Sequence, residues 1–267
     1  MISINQKNNV SINGTGEQVI IFAHGFGCDQ NMWRFITPAF LDDYKVVLFD
    51  YTGSGNSSIA EYAPKKYSTL EGYAEDIIDI CQAYDFKDAI IVGHSVSATI
   101  ALLASLKAPE HFSKLIHLTP SPSFINDPPK YMGGFEYADL EELLDLMDKN
   151  YIGWAKYLAP VVMGGQASEL LTGELADSFC STDPLIAKNF AKATFLSDHR
   201  QSYPRSTLPS LIIQSKVDSL ASVEVGQFLH SITPKSDFTI IESEGHCPHM
   251  THPSITVQAI KSYLSNG

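Results

Sequence analysis

The sequence predicts an α/β fold: a mostly parallel sheet flanked by helices, with a block of further helices inserted late in the chain. Two observations carry the prediction. Short continuous apolar runs alternate with helical patterns, and strands apolar on both sides belong to parallel sheets covered on both faces. From Thr119 to Ser210 the strand pattern disappears and helical periodicity takes over.

The elements follow in order. "QVIIFAHG" (18–25) reads as a buried strand ending in a glycine turn, and "YKVVLFD" (44–50) as a second strand entering the loop "YTGSGNSS". Ser68 with Glu71 forms a capping-box pattern ahead of a helix that carries Tyr73, Ala74, Ile77 and Cys81 on one face. "AIIVG" (89–93) is the next strand, with "TIALLASL" (99–106) as the helix behind it. "KLIHLTP" (114–120), "SLIIQS" (210–215) and "FTIIES" (238–243) complete the strands, and "TVQAIKSYL" closes the chain as a helix. Within the helical block, Leu140, Leu143, Leu144 and Met147 share one face, and Trp154 and Leu158 lie one turn apart. "ASELLTGELADSF" suggests a third helix that Gly173 weakens, and Asp183-Pro184 starts a fourth. Such a block forms a lid over the carboxyl ends of the strands, where open α/β sheets place ligands.

The 267 residues suit one large α/β domain or two small ones. A formal net charge of −12 argues against nucleic acid and anionic membrane as partners, because both need basic patches. The four cysteines, Cys28, Cys81, Cys180 and Cys247, are scattered without a CxxC pair, so free thiols in a reducing compartment are expected. The first residues, "MISINQKNNVSING", are polar and lack an apolar signal core. No stretch approaches the ~20 apolar residues of a membrane span. A cytoplasmic protein is the expectation.

"AIIVGHSVSATI" carries the candidate chemistry. A strand that stops at Gly93 and restarts as a helix makes a tight bend able to expose Ser95, the geometry of the G-x-S-x-G elbow. The last motif position is Ser97 here, so the match is incomplete. The elbow fold orders its triad as serine, acid, histidine. Asp218 follows the strand at 210–215, and His246 follows the last strand behind a glycine. His246 would take the Ser95 proton, and Asp218 would fix the tautomer of the imidazole. Backbone N–H groups of Val96 and of Phe26, in "HGFG" (24–27), are the candidate oxyanion donors. His94 would buttress the elbow, and Glu242 and Glu244 read as ordinary loop carboxylates. His246 and His249 are close in sequence, but Pro248 separates them and no second cluster accompanies them. No metal and no cofactor are expected.

Beyond these residues, "HGFGCDQNMW", "FDYTGSGNS", "YSTLEGYAEDI", "GHSVSA", "PSPSFINDPP", "GGFE", "NYIGWA" and "GHCPHM" span essentially the whole chain. Together they resemble the α/β-hydrolase group formed by the bacterial stress-response hydrolase RsbQ and the karrikin and strigolactone receptors of plants. "FINDPP", "FCSTDP" and "GHCPH" are closer to the bacterial form, and "GHSVSA" is the plant-receptor form of the elbow. The resemblance implies an α/β-hydrolase core at 1–120 and 205–267, with a four-helix, V-shaped lid at 121–204. It implies the Ser95, Asp218 and His246 triad and a small apolar pocket lined by Phe26, Phe124, Phe135, Trp154, Leu158 and Phe195. It further implies a serine esterase or lactonase acting on a small apolar ester, with a signalling role beside a partner such as a phosphatase. The alternative is a ligand-sensing, partner-recruiting protein in which hydrolysis is slow and incidental. The same residues serve both.

Overall fold

The computed structural model describes residues 2–265. The chain runs α1 (Ile4–Asn8), β1 (Ser11–Asn13), β2 (Val19–Ala23), β3 (Lys45–Leu48), α2 (Leu70–Ala83), β4 (Ala89–His94), α3 (Val96–Lys107) and β5 (Phe112–Leu118). Four helices then intervene: α4 (Tyr137–Lys149), α5 (Tyr151–Met163), α6 (Glu169–Ser181) and α7 (Pro184–Phe195). The chain finishes with β6 (Ser210–Val217), α8 (Val223–Ile232), β7 (Ser236–Glu244), α9 (Pro248–Thr251) and α10 (Pro253–Ser265). Among the described residues no helix is long and apolar enough to cross a membrane.

The seven strands form one sheet in the order β1-β3-β2-β4-β5-β6-β7. All neighbours are parallel except β1 against β3, which is the mostly parallel sheet that the apolar runs predict. Alternate residues divide the core, as a two-residue period requires. Ile20, Phe22, Ile90, Val92, Ile116 and Leu118 face Trp33, Phe40 and the inserted helices. Ile21, Ala23, Ile91 and Leu115 face α2 and α3. From β2 the chain moves outward to β3 and then returns across β2 to β4. The carboxyl ends of β2 and β4 are therefore the switch point, where the outgoing loops part and leave a crevice. Ala23 pairs with Gly93 there, so His24–Gly27 and His94–Ser97 emerge side by side.

Two expectations need correction. The Ser68–Glu71 capping box does not form. Lys66–Ser68 make a short 3-10 turn, the Ser68 hydroxyl is spent on the Lys65 carbonyl at 2.9 Å, and α2 starts at Leu70 with Thr69 as its N-cap. Glu242 and Glu244 stand on β7 rather than in a loop: Glu242 pairs with Lys216, and Glu244 accepts the Gly165 N–H at 2.7 Å. The fourth helix of the insertion begins where Asp183-Pro184 marks it. Asp183 caps α7 through the Leu185 and Ile186 N–H groups, and α6 runs through Gly173, where an added Cβ would meet nothing within 4 Å.

Candidate active site

β4 is buried along its length and delivers the chain into Ser95 at φ 55°, ψ −122°. A non-glycine residue held there costs about 1–3 kcal/mol, so the neighbouring packing must enforce it. Ser95 N–H donates to the Leu118 carbonyl at 2.8 Å, and Ser95 carbonyl accepts from Ala98 N–H at 3.0 Å. At Gly93 a Cβ would lie 2.3 Å from the Ser97 carbonyl oxygen, which explains the glycine before the bend. The departure from the motif at Ser97 has a use. Its hydroxyl donates to the His24 carbonyl at 2.5 Å and lies 2.9 Å from the Tyr51 hydroxyl, which ties the elbow to the loop after β2.

Three side chains from three strand ends meet at this bend. His246 Nε2 lies 2.7 Å from Ser95 Oγ, and His246 Nδ1 lies 2.7 Å from Asp218 Oδ2. An ionised carboxylate only accepts hydrogen bonds. Nδ1 therefore carries the proton, and Nε2 of the neutral ring is left to accept from Ser95. The Asp218 side chain is fully buried. Its other oxygen, Oδ1, accepts the Leu220 and Ala221 N–H groups at 2.8 and 3.0 Å, so both oxygens are fixed. The backbone of His246 is held as firmly. Its N–H donates to the Val162 carbonyl of α5 at 2.7 Å. Its carbonyl accepts from His94 Nε2 at 2.8 Å and lies 3.0 Å from Thr119 Oγ1.

His94 thus acts away from the elbow expected of it and braces the histidine loop across the site. Burial holds His94 well below the ordinary histidine range, with the adjacent His249 and His246 adding to the effect, so it is a neutral donor. His249 is pushed down to about 3, first by burial, and its ring lies 4.6 Å from Trp33 and 4.5 Å from His94. His94, Cys247 and His249 each bring a ligand-type atom within 4.8 Å of the others. The sequence spacing did not show this trio, because His94 comes from β4. Within the trio His94 Nε2 is bonded to the His246 carbonyl, while His94 Nδ1 and both His249 nitrogens have no hydrogen-bond partner among the described residues. Burial raises the Cys247 thiol far above its usual value, and the His249 ring lies in an aromatic pile.

A cavity of about 30 Å³ opens in front of Ser95 and His246. Phe26, Phe124, Leu158 and Phe195 border it, with Cys28, Val162, Leu175, Phe179, Thr194, Leu220 and Cys247 as further lining. Phe135 lies instead in an outer cleft of about 590 Å³ between α4 and α5. Leu158, Phe195 and Leu220 border both spaces and separate them. Trp154 stands one ring back, edge-on to Phe26 at 6.0 Å and stacked on Tyr151. The turn of α5 that points Leu158 and Val162 inward carries Trp154 behind Phe26. Among the described residues, the Phe26 and Val96 N–H groups have no hydrogen-bond acceptor in the protein. Val96 is the first residue of α3, where helix N–H groups are unpaired.

The comparisons agree with this architecture. A family model described as "alpha/beta hydrolase fold" matches residues 18–253. The karrikin insensitive 2 receptor CA of Petunia hybrida is 37% identical over 262 residues, 98% of this chain and 97% of that protein. A strigolactone esterase of Pisum sativum is 33% identical over 258 residues, 96% of each chain. Among solved structures, a hydrolase from Oleispira antarctica is similar at 50% identity with a TM-score of 0.97, covering 99% of this chain and 97% of its own.

Proposed function

Because the chain belongs to the alpha/beta hydrolase family, we propose that it is a serine hydrolase that cleaves a small, largely apolar ester or lactone through an acyl-enzyme on Ser95. The observation that carries this reading is the unbroken chain of 2.7 Å contacts from Ser95 through His246 to Asp218 in the wall of an apolar cavity. Ser95 Oγ attacks the carbonyl carbon while His246 Nε2 takes its proton, and the buried Asp218 carboxylate stabilises the imidazolium. The Phe26 and Val96 N–H groups receive the oxyanion. His246 then protonates the departing alcohol, and a water activated by the same imidazole releases the acid. The reading uses no metal and no cofactor. In it, residues 1–120 and 205–267 supply the core and 121–204 the lid.

The test is steady-state hydrolysis of p-nitrophenyl acetate by the wild type and by Ser95→Ala. Multiple turnovers that vanish in the variant support the reading. Equal rates from both proteins would remove Ser95 as nucleophile.

A second reading, a ligand-sensing protein with incidental turnover, is favoured by the receptor relatives that match over nearly the whole chain. A single slow turnover that leaves the protein able to capture another protein would select it. Under either reading, the motifs "FINDPP", "FCSTDP" and "GHCPH" support a bacterial stress-response role of the RsbQ kind, beside a phosphatase and in a reducing cytoplasm. The buried thiols of Cys28, Cys81 and Cys247 fit that compartment.

A further inference from the structure

The cavity in front of Ser95 is lined almost wholly by apolar side chains, and its polar atoms are nearly all committed. Ser95 Oγ and His246 Nε2 hold each other at 2.7 Å. His94 Nε2 is bonded to the His246 carbonyl, and its Nδ1 faces Gly25, where a Cβ would come within 2.5 Å of it. The thiols of Cys28 and Cys247 are weak partners. Besides His94 Nδ1, which also has no partner among the described residues but is turned to the Gly25 backbone, one strong group is left. Thr194, on α7, borders the cavity, is only 3% exposed, and its Oγ1 has no hydrogen-bond partner. A threonine in a helix usually bonds back to the carbonyl one turn earlier, and this hydroxyl does not. A buried hydroxyl without a partner costs stability, and an isosteric valine would avoid that cost.

We propose that Thr194 is a specificity-determining residue: its hydroxyl donates a hydrogen bond to an ether or carbonyl oxygen of the substrate, separate from the carbonyl that Ser95 attacks. The inference rests on the serine-hydrolase reading and narrows its substrate class. The ester or lactone carries a second oxygen on the portion enclosed by the cavity, and its apolar remainder passes Leu158, Phe195 and Leu220 into the outer cleft. The closed cavity has room for about one or two waters as it stands, so these three side chains must give way to admit a ligand. A pocket built to satisfy a buried polar group discriminates strongly against an analogue that leaves it unpaired.

Matched esters that exchange one methylene for oxygen test this. One pair differs in the acyl part, p-nitrophenyl butanoate against p-nitrophenyl methoxyacetate. The other differs in the alcohol part, butyl acetate against 2-methoxyethyl acetate. Intrinsic reactivity cancels when each ester's kcat/KM in Thr194→Val is divided by its value in the wild type. In at least one pair the oxygen-bearing member should lose about tenfold more than its all-carbon partner, and Thr194→Ser should restore the ratio. Equal losses within both pairs, as expected from a purely packing or water-holding role, would overturn the proposal. The contact is also measured without chemistry, as the thermal shift that the same esters produce in Ser95→Ala and in Ser95→Ala/Thr194→Val. A wild type inert to all four esters would sink the acyl-transfer reading. The difference in thermal shift would still decide the contact at Thr194.

Discussion

Replacing Asp218 by asparagine exchanges one carboxylate oxygen for an amide nitrogen at nearly constant volume. In the native site Oδ1 accepts the Leu220 and Ala221 N–H groups, and Oδ2 accepts His246 Nδ1–H. The amide cannot do both. With its oxygen kept on the two backbone donors, its NH₂ faces Nδ1, so the imidazole must carry its proton on Nε2 and no longer accepts from Ser95. With the amide turned over, the tautomer is correct but two buried N–H groups lose their acceptor. Each costs about 1–3 kcal/mol, so the competent form lies about 2–6 kcal/mol uphill. That corresponds to a population of about one in 30 to one in 2 × 10⁴. Asp218→Asn should therefore lower kcat on p-nitrophenyl acetate by about 10²–10⁴ while the melting temperature stays near wild type, because the amide still fills the same space. A variant that keeps more than about a tenth of kcat with an unchanged fold would refute Asp218 as the group that orients His246.

Three other outcomes follow from the same geometry. Burial pushes His117 down to about 4 and His249 to about 3. Their folded pKa values lie below the unfolded one near 6.5, so stability is complete above that pH and falls on acidification until the folded values are reached. The slope is about 1.4 kcal/mol per pH unit for each group, and about 2–3 kcal/mol should be gone by pH 5.5. Urea unfolding at pH 7.5 and 5.5 measures this, and His117→Phe should flatten the dependence; an unaltered slope contradicts it. Gly245 has φ 95°, and a Cβ there would lie 2.1 Å from the Met163 carbonyl oxygen. Gly245→Ala should cost at least about 1–3 kcal/mol and depress kcat by displacing His246, which calorimetry and kinetics would show together; a variant matching wild type in both would be inconsistent with the packing. Ser95→Gly and Ser95→Ala should be equally inactive, but the glycine variant should be about 1 kcal/mol more stable because it relieves the φ 55° strain. Equal denaturant midpoints would argue against that strain.

What the sequence makes legible here is what depends on one segment at a time. β2 and β4 are continuous apolar runs buried along their length, so their type and the loops they feed can be read directly. The order serine, acid, histidine places Ser95, Asp218 and His246 at strand ends, and those ends converge in the sheet. Features assembled from several elements are much less legible. Val162 could have been found, since it lies four residues after Leu158 on the same helical face. Leu175, Phe179 and Thr194 reach the cavity from α6 and α7, whose tilt no local pattern encodes. His94 looked like part of the elbow because it adjoins Ser95, yet its partner is the His246 carbonyl, 152 positions away. α1, β1 and α8 carried no expectation. The short edge strand β1 has no buried residue to give it an apolar signal.

The bond from His246 N–H to the Val162 carbonyl makes the roof of the chamber a structural member of the engine beneath it. α5 cannot swing outward to admit a molecule without pulling on the strut that sets the proton acceptor against Ser95. Roof and base are thereby joined through one backbone bond, while Asp218, His94 and Thr119 hold the histidine loop from the opposite side.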